Sequence, residues 1–250
     1  PQTSTGLVWN KDVQDRSGFW EAYFATPDPW HYTSEYETLK YERTVSLLPD
    51  GPIPQALELA CAEGHFTRML APRVGQLLAT DISETALQRA AERCAEAGNI
   101  VYRKLDLLED EMPSGQDLIV CAEVLYYLKN EAQLKAVAAR IRDALKPGGT
   151  LLMAHAFLLR DDPARTGFDW DDPFGAAVIS RVFGETPGLR LEHSLETDLY
   201  RIDRLRRVSD DAPLAAPVTE SLPLASPLPT AVARHIVWGG VEKRREDALQ

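Results

Sequence analysis

Residues Leu57–Thr67 read "LELACAEGHFT". The run opens on alternating apolar positions, passes through a small-residue turn closed by Gly64, and continues into a helical pattern from His65. A strand feeding a helix through such a turn is how a parallel sheet holds a nucleotide. Loops of this kind normally carry glycine at their first two small positions, so that bare backbone N–H groups can approach a diphosphate. Here those positions are Ala60 and Ala62, and Glu63 stands inside the turn, where it is expected to repel phosphate. The alanines are acceptable if their backbone angles avoid the left-handed region. The ligand expected is one that asks less of the loop and tolerates carboxylates.

Working outward, short apolar runs alternate with helical patterns: "QALELA", "LLAT", "NIVYRKLD", "DLIVCAE" and "GTLLMAHAF". That alternation predicts a Rossmann-like α/β fold, a seven-stranded, mostly parallel sheet with helices on both faces. One helix opens at Ser83 and meets Gly98 as its stop; another opens at Asn130, with Gln133 three residues on, and ends at "KPGG". A helical segment follows near Phe174 to Phe183, and "LRLEHSL" and "LYRIDRL" form a C-terminal antiparallel hairpin, with "RLRR" near Arg204 on an edge strand. Residues 1–48 are dense in aromatics, with a capping box from Ser34 to Glu37, and read as a helical cap over the sheet's open edge. The expected organisation is this cap, a core over 49–208, a flexible Pro-rich linker over 209–233, and a tail over 234–250 whose apolar "HIVWGG" has a docking place that the sequence does not name.

Composition narrows the partners. With 38 acidic against 27 basic residues the chain carries a formal charge of −11, which disfavours nucleic acid and anionic membrane surfaces. Cys61, Cys94 and Cys121 are odd in number and sit in apolar surroundings, as buried thiols in a reducing compartment do, and not as a metal site. No run is long enough to span a bilayer, and "PQTSTGLVWNKD" lacks the shape of a signal peptide, so the cytoplasm is expected. Oligomeric state is not legible.

Ligands of open parallel sheets lie at the carboxyl ends of the strands, and here those ends are acidic: Glu58, Asp81, Asp106 and Glu123. Asp81, about twenty residues past the turn, suits both hydroxyls of a ribose. Asp106 suits the exocyclic amine of an adenine. S-adenosylmethionine answers to this set: it has no phosphate, one carboxylate, one ammonium and a sulfonium cation.

"LELACAEGHFT", "ATDIS", "KLDLL", "DLIVCAEVLYYL" and "LKPGGTLLM" together resemble the successive motifs of class I S-adenosylmethionine-dependent methyltransferases, over roughly residues 50 to 155. The alanine-substituted loop, "AEVLYYL" and the upstream "DPWHYTSEYE" are similar to the NodS-like group of nodulation N-methyltransferases. The resemblance implies that Glu58, Ala60, Ala62 and Gly64 hold the methionine part, Asp81 the ribose, and Asp106 with Leu107 the adenine, with Ile82 also at the cofactor and Glu123 near the methyl group.

Candidates for the chemistry are few. His155, closing the fifth strand, faces the pocket if alternation holds, and its ring titrates in a useful range for a base. His31, beside Trp30 and Tyr32 in "PDPWHY", belongs to the segment expected to cover the pocket, where Trp30 packs the cap or touches the ligand. Of Tyr126 and Tyr127, one faces the core and the other orients an acceptor. The loop "LLRDDPARTGFDWDDPFG" sets Asp161, Asp162, Asp169, Asp171 and Asp172 among Phe168, Trp170 and Phe174, a mixture suited to a polyhydroxylated or amine-bearing molecule. The expected activity is methyl transfer to an amine or hydroxyl of a small molecule, sugar-like acceptors included. Two other readings are a cofactor-binding module that serves as a partner protein and an NAD-dependent oxidoreductase; Glu63 and the lack of a hydride-transfer set count against the latter.

Overall fold

Alternate residues of the first strand point in opposite directions, and this decides which helices lie on which face. Leu57 and Leu59 of β1 (Gln55–Leu59) join a cluster built with α5 (Glu131–Ala144) and α6 (Ala176–Gly184), whereas Ala56 faces α2 (Glu35–Ser46) and α3 (His65–Leu70). Residues 15–209, 216–223 and 236–237 of the computed structural model are described. The remaining elements are α1 (Arg16–Tyr23), β2 (Gln76–Asp81), α4 (Glu84–Arg93), β3 (Ile100–Lys104), β4 (Gln116–Ala122), β5 (Leu145–Ala156), β6 (Gly167–Phe168), β7 (Leu189–Glu196), β8 (Tyr200–Arg207), β9 (Val218–Ser221) and β10 (Ile236–Val237).

The main sheet runs β3-β2-β1-β4-β5-β8-β7-β9. The first five strands are parallel, β8 is antiparallel to both β5 and β7, and the winding reverses between β1 and β4. The hairpin is therefore as the sequence foretold, and an eighth strand, β9, pairs in parallel with β7. It lies inside the stretch read as a linker, which is a correction for those residues: Val218 and Thr219 favour extended backbone, and the free edge of β7 offers them a ladder. β10 pairs with β6 through Ile236 and Val237, so that part of the expected tail meets the loop after β5. The rest of residues 209–250, and residues 1–14 of the cap, lie outside the described residues except as given above.

Local signals held at the helix starts. Ser34, Ser83 and Asn130 each accept an N–H of the first turn with their side chains. The Ser83 helix stops at Arg93, short of Gly98. Two further expectations are corrected. The N-terminal cap does not cover an edge: Tyr36, Leu47 and Leu48 pack with Leu118, Val120 and Leu152 on a face of the central strands. Arg204 is on β8, an interior strand, where it pairs with Glu192 of β7.

Candidate functional site

The crevice between the carboxyl ends of β1 and β4 opens into a cavity of about 450 Å³, roofed by the N-terminal segment. The first turn on its floor departs from expectation. Ala60 has φ +56° and Ala62 has φ +48°, both left-handed. In that conformation two N–H groups of the turn meet β2: Cys61 N donates to Thr80 O at 2.8 Å and Ala62 N to Asp81 Oδ2 at 2.9 Å. Left-handed backbone costs an alanine roughly 1–2 kcal/mol, and these bonds offset it. Gly64, with φ +79°, is required for a second reason, since a Cβ there would lie 2.8 Å from Ala90 of α4.

Glu63 does not face the ligand space, contrary to the argument from sequence. It is 1% exposed and turned away toward α4, where Arg89 bonds it at 2.7 Å and Arg93 lies at 3.8 Å. It also accepts the N–H of Asp28, and Arg89 donates to Phe24 O, so this one carboxylate fastens the cap to the loop. The repulsion of phosphate by Glu63 therefore falls away. The other acids do line the cavity: Glu58, Asp81, Asp106 and Glu123 are all on its wall, with Ala60, Ala62, Ile82, Leu107, Trp30, His31 and Tyr126. Gly64 supports the turn from behind.

Burial sets the state of these acids. Glu58 is 3% exposed and its Oε2 has no hydrogen-bond partner. Desolvation pushes its carboxyl up to about 8, against the lowering influence of the neighbouring Thr67 hydroxyl. Asp81 is pushed to about 6, again by burial, held down by N–H bonds from Ser83 and Ala62. Tyr32 OH and His65 Nε2 are also buried without partners, on rings stacked 4.8 Å apart beside the same turn. Three orphaned polar atoms around one end of a cavity fit a ligand carrying both a cationic and an anionic group. Asp106 is less free than expected: its Oδ2 takes a bond from Arg16 at 2.8 Å and its Oδ1 one from Leu108 N. Above this wall Trp30 stacks on Tyr23 at 4.7 Å and meets Tyr32 edge-on.

The second half of the cavity is built around a residue that sequence reasoning missed. Lys40 of α2 is 2% exposed, and its Nζ lies 2.9 Å from Glu37 Oε1 and 3.2 Å from Glu123 Oε1. The ring of Tyr36 lies beneath it at 4.8 Å. Burial alone would lower its ammonium, but Glu123 and Glu37 hold it well above the usual lysine value. Glu123 follows β4 in a left-handed conformation, φ +52°, with its N–H tied to Ala154 O. Its Oε2 accepts the Tyr126 hydroxyl at 2.7 Å, so Tyr126 is committed to the carboxylate. Tyr36 and Lys40 four apart and Glu37 and Lys40 three apart were the signal available on the helix.

His155 is a correction. It lies behind the wall, 2% exposed, with Nε2 accepting Leu125 N at 3.4 Å and its ring against Tyr126. Residues alternate in β5, and Leu151 and Met153, of the same parity as His155, pack in the cluster built with α5 and α6, while His155 itself is not among the residues that line the cavity. Burial lowers its ring to about 3, and the nearby Lys40 acts in the same direction. The acidic loop is corrected too. Only its aromatics Phe168 and Trp170 reach the cavity, 4.5 Å apart. Asp161 accepts the N–H of Gly175 and Val178 at the start of α6, Asp171 pairs with Arg160, and Asp172 is buried.

Among the described residues no helix is long and apolar enough to cross a membrane. A family model described as Nodulation protein S (NodS) matches residues 14–187, more than half of the chain. Nodulation protein S of Rhizobium tropici is 34% identical over 188 residues, covering 73% of this chain and 76% of that protein. The Bradyrhizobium diazoefficiens protein of the same name is 32% identical over 168 residues, 66% of this chain and 78% of the relative. Among solved structures, N-methyltransferase NodS from Bradyrhizobium japonicum WM9, in complex with S-adenosyl-L-homocysteine, superposes with a TM-score of 0.64 at 28% identity, covering 75% of this chain and 95% of that one. With these matches over a cavity ringed by strand-end carboxylates, the chain belongs to the NodS family and is an S-adenosylmethionine-dependent methyltransferase.

Proposed function

We propose that this enzyme methylates an amine nitrogen of a small molecule in the cytoplasm. The observation that carries this reading is the charge count in the half of the cavity beside Glu123: two carboxylates, Glu37 and Glu123, share one ammonium, Lys40. One negative charge is left over in a poorly solvated place, which favours a cationic acceptor over a carboxylate or a neutral hydroxyl. The name of the Bradyrhizobium japonicum relative, an N-methyltransferase, agrees with it.

At the other end, the unpartnered Glu58, Tyr32 and His65 atoms support a cradle for the cofactor's amino-acid end at the turn of Ala60, Ala62 and Gly64. Asp81, with Ile82, takes the ribose; Asp106 and Leu107 edge the adenine; and Trp30 with its neighbouring rings closes the roof. When bound, S-adenosylmethionine supplies an activated methyl on a cationic sulfur. The chain's work is to orient the acceptor against it and to exclude water, and positioning of this kind is worth roughly 7–11 kcal/mol of barrier. His31 is half inside the segment that covers the cavity and serves access better than proton transfer, being exposed.

The test is mass spectrometry of products after incubation of the full chain with S-adenosylmethionine and matched panels of small amines, alcohols and carboxylic acids. Methylated amines are the expected products. Turnover of alcohols or acids alone would overturn the reading.

A further inference from the structure

The Lys40 network has more structure than a cation-attracting surface needs, and resting on the N-methylation reading, we propose that Glu123 Oε1 is the atom that receives the acceptor's ammonium, with Lys40 and Tyr126 as the residues that position it. Each oxygen of the Glu123 carboxylate has a distinct neighbour. Oε2 is occupied by the Tyr126 hydroxyl at 2.7 Å, while Oε1 has Lys40 Nζ at 3.2 Å and no hydrogen bond of good geometry. A carboxylate oxygen carries two lone pairs, so Oε1 keeps capacity for a second cation. The backbone beneath it is fixed twice, by the left-handed φ of Glu123 and by its N–H bond to Ala154 O. A strained residue held this firmly at a strand's carboxyl end is placed for a ligand rather than for packing.

Lys40 favours the ionised form of the acid. Burial and the neighbouring Glu37 raise the Glu123 carboxyl, while Lys40 and the Tyr126 bond lower it. The other titratable groups facing it are silent near neutrality: the hydroxyls of Tyr36, Tyr41, Tyr126 and Tyr127 are held well above their ordinary value, and His155 stays neutral. The net effect is upward, with burial the largest cause, and Lys40 is the cation that opposes it. Lys40 is itself neutralised by Glu37, so it does not repel an arriving ammonium.

The chemistry balances simply. The acceptor's R–NH3+ gives one proton to Glu123 Oε1, and the freed pair on nitrogen forms the new N–CH3 bond as the S–CH3 bond breaks, its electrons remaining on sulfur. Glu123 then passes its proton to solvent, so one methyl is gained for one proton lost.

Matched four-carbon probes test the subsite: n-butylammonium, 1-butanol and butyrate, each titrated into the full chain saturated with S-adenosylhomocysteine and followed by ligand-observed NMR. Butylammonium is expected to bind, the other two not. Glu123→Gln should weaken butylammonium at least tenfold while S-adenosylhomocysteine affinity, which also reports folding, stays within about threefold. Lys40→Met should move the acidic limb of the pH profile for butylammonium binding upward by a unit or more, because Glu123 loses its cation, and Lys40→Arg should move it back. Equal binding of butylammonium to wild type and Glu123→Gln, or an unmoved limb in Lys40→Met, would overturn the subsite even if amines prove to be the substrates. Methylation of alcohols or acids instead of amines would remove the reading it rests on.

Discussion

Asp81→Ala is the most informative single perturbation of the cofactor end. In the structure its carboxylate accepts two backbone bonds, from Ala62 and Ser83, both at 2.9 Å, and lines the cavity with its remaining capacity. Two hydroxyls of a ribose would each donate to a charged acceptor, worth about 1.5–3 kcal/mol apiece. The lower figure applies, because the carboxylate already has two donors and burial has pushed it up to about 6. The loss is then about 3 kcal/mol, a weakening on the order of a hundredfold. Calorimetry at pH 7.5 with two ligands separates ribose contact from collapse of the loop. S-adenosylhomocysteine and 5′-methylthioadenosine share the ribose, but only the former has the amino-acid end, so loss of the ribose contact weakens both by the same factor. An affinity for S-adenosylhomocysteine within threefold of wild type, with the fold intact by circular dichroism, would refute the assignment; selective loss of that ligand would transfer the role of Asp81 to the turn.

Other predictions concern protons and backbone. Glu58 is raised to about 8 in the free protein, and a ligand ammonium ionises it, so binding below pH 8 must expel a proton. S-adenosylhomocysteine affinity should therefore fall as pH drops from 8 to 6, by up to about tenfold per unit, with proton release visible as buffer-dependent calorimetric heats; pH-independent affinity would contradict the placement. Ala60→Gly and Ala62→Gly relieve left-handed alanines, and each should raise stability by up to about 1 kcal/mol, read as a rise of a few degrees in melting temperature. A fall of that size in either would show that the turn is not strained. His155, lowered to about 3 by burial, gives stability that is complete above about pH 6.5 and is lost as pH falls toward 3. His155→Leu should flatten the acid limb of a denaturation series, with wild-type cofactor affinity; a variant that folds normally but no longer turns over would restore the histidine to the chemistry.

The acids at the strand ends were readable because topology, and not detailed packing, decides where they go. Glu58, Asp81, Asp106 and Glu123 lie at or just past the carboxyl ends of β1, β2, β3 and β4, and the order β3-β2-β1-β4 of these parallel strands brings them along one rim of the cavity. What failed depended on neighbours distant in sequence. Glu63 looked like a charge aimed at the ligand until Arg89 and Arg93, one turn apart on α4, drew it the other way. Lys40 drew no reading at all, because nothing on its helix announces that Glu123 will lie over it. His155 was assigned by alternation, but alternation fixes parity only, and which parity faces the cavity is set by the register of β5 between β4 and β8. The left-handed alanines were hidden because the hydrogen bonds that hold them reach across to β2.

The direct measurement of the central claim is the atom that receives the methyl. Supplied with methyl-13C S-adenosylmethionine and a pool of small amines, alcohols and acids, the full chain should yield product whose labelled carbon has the heteronuclear NMR shift of an N-methyl group, lost on Glu123→Gln. Label appearing only in O-methyl or methyl-ester signals would contradict it.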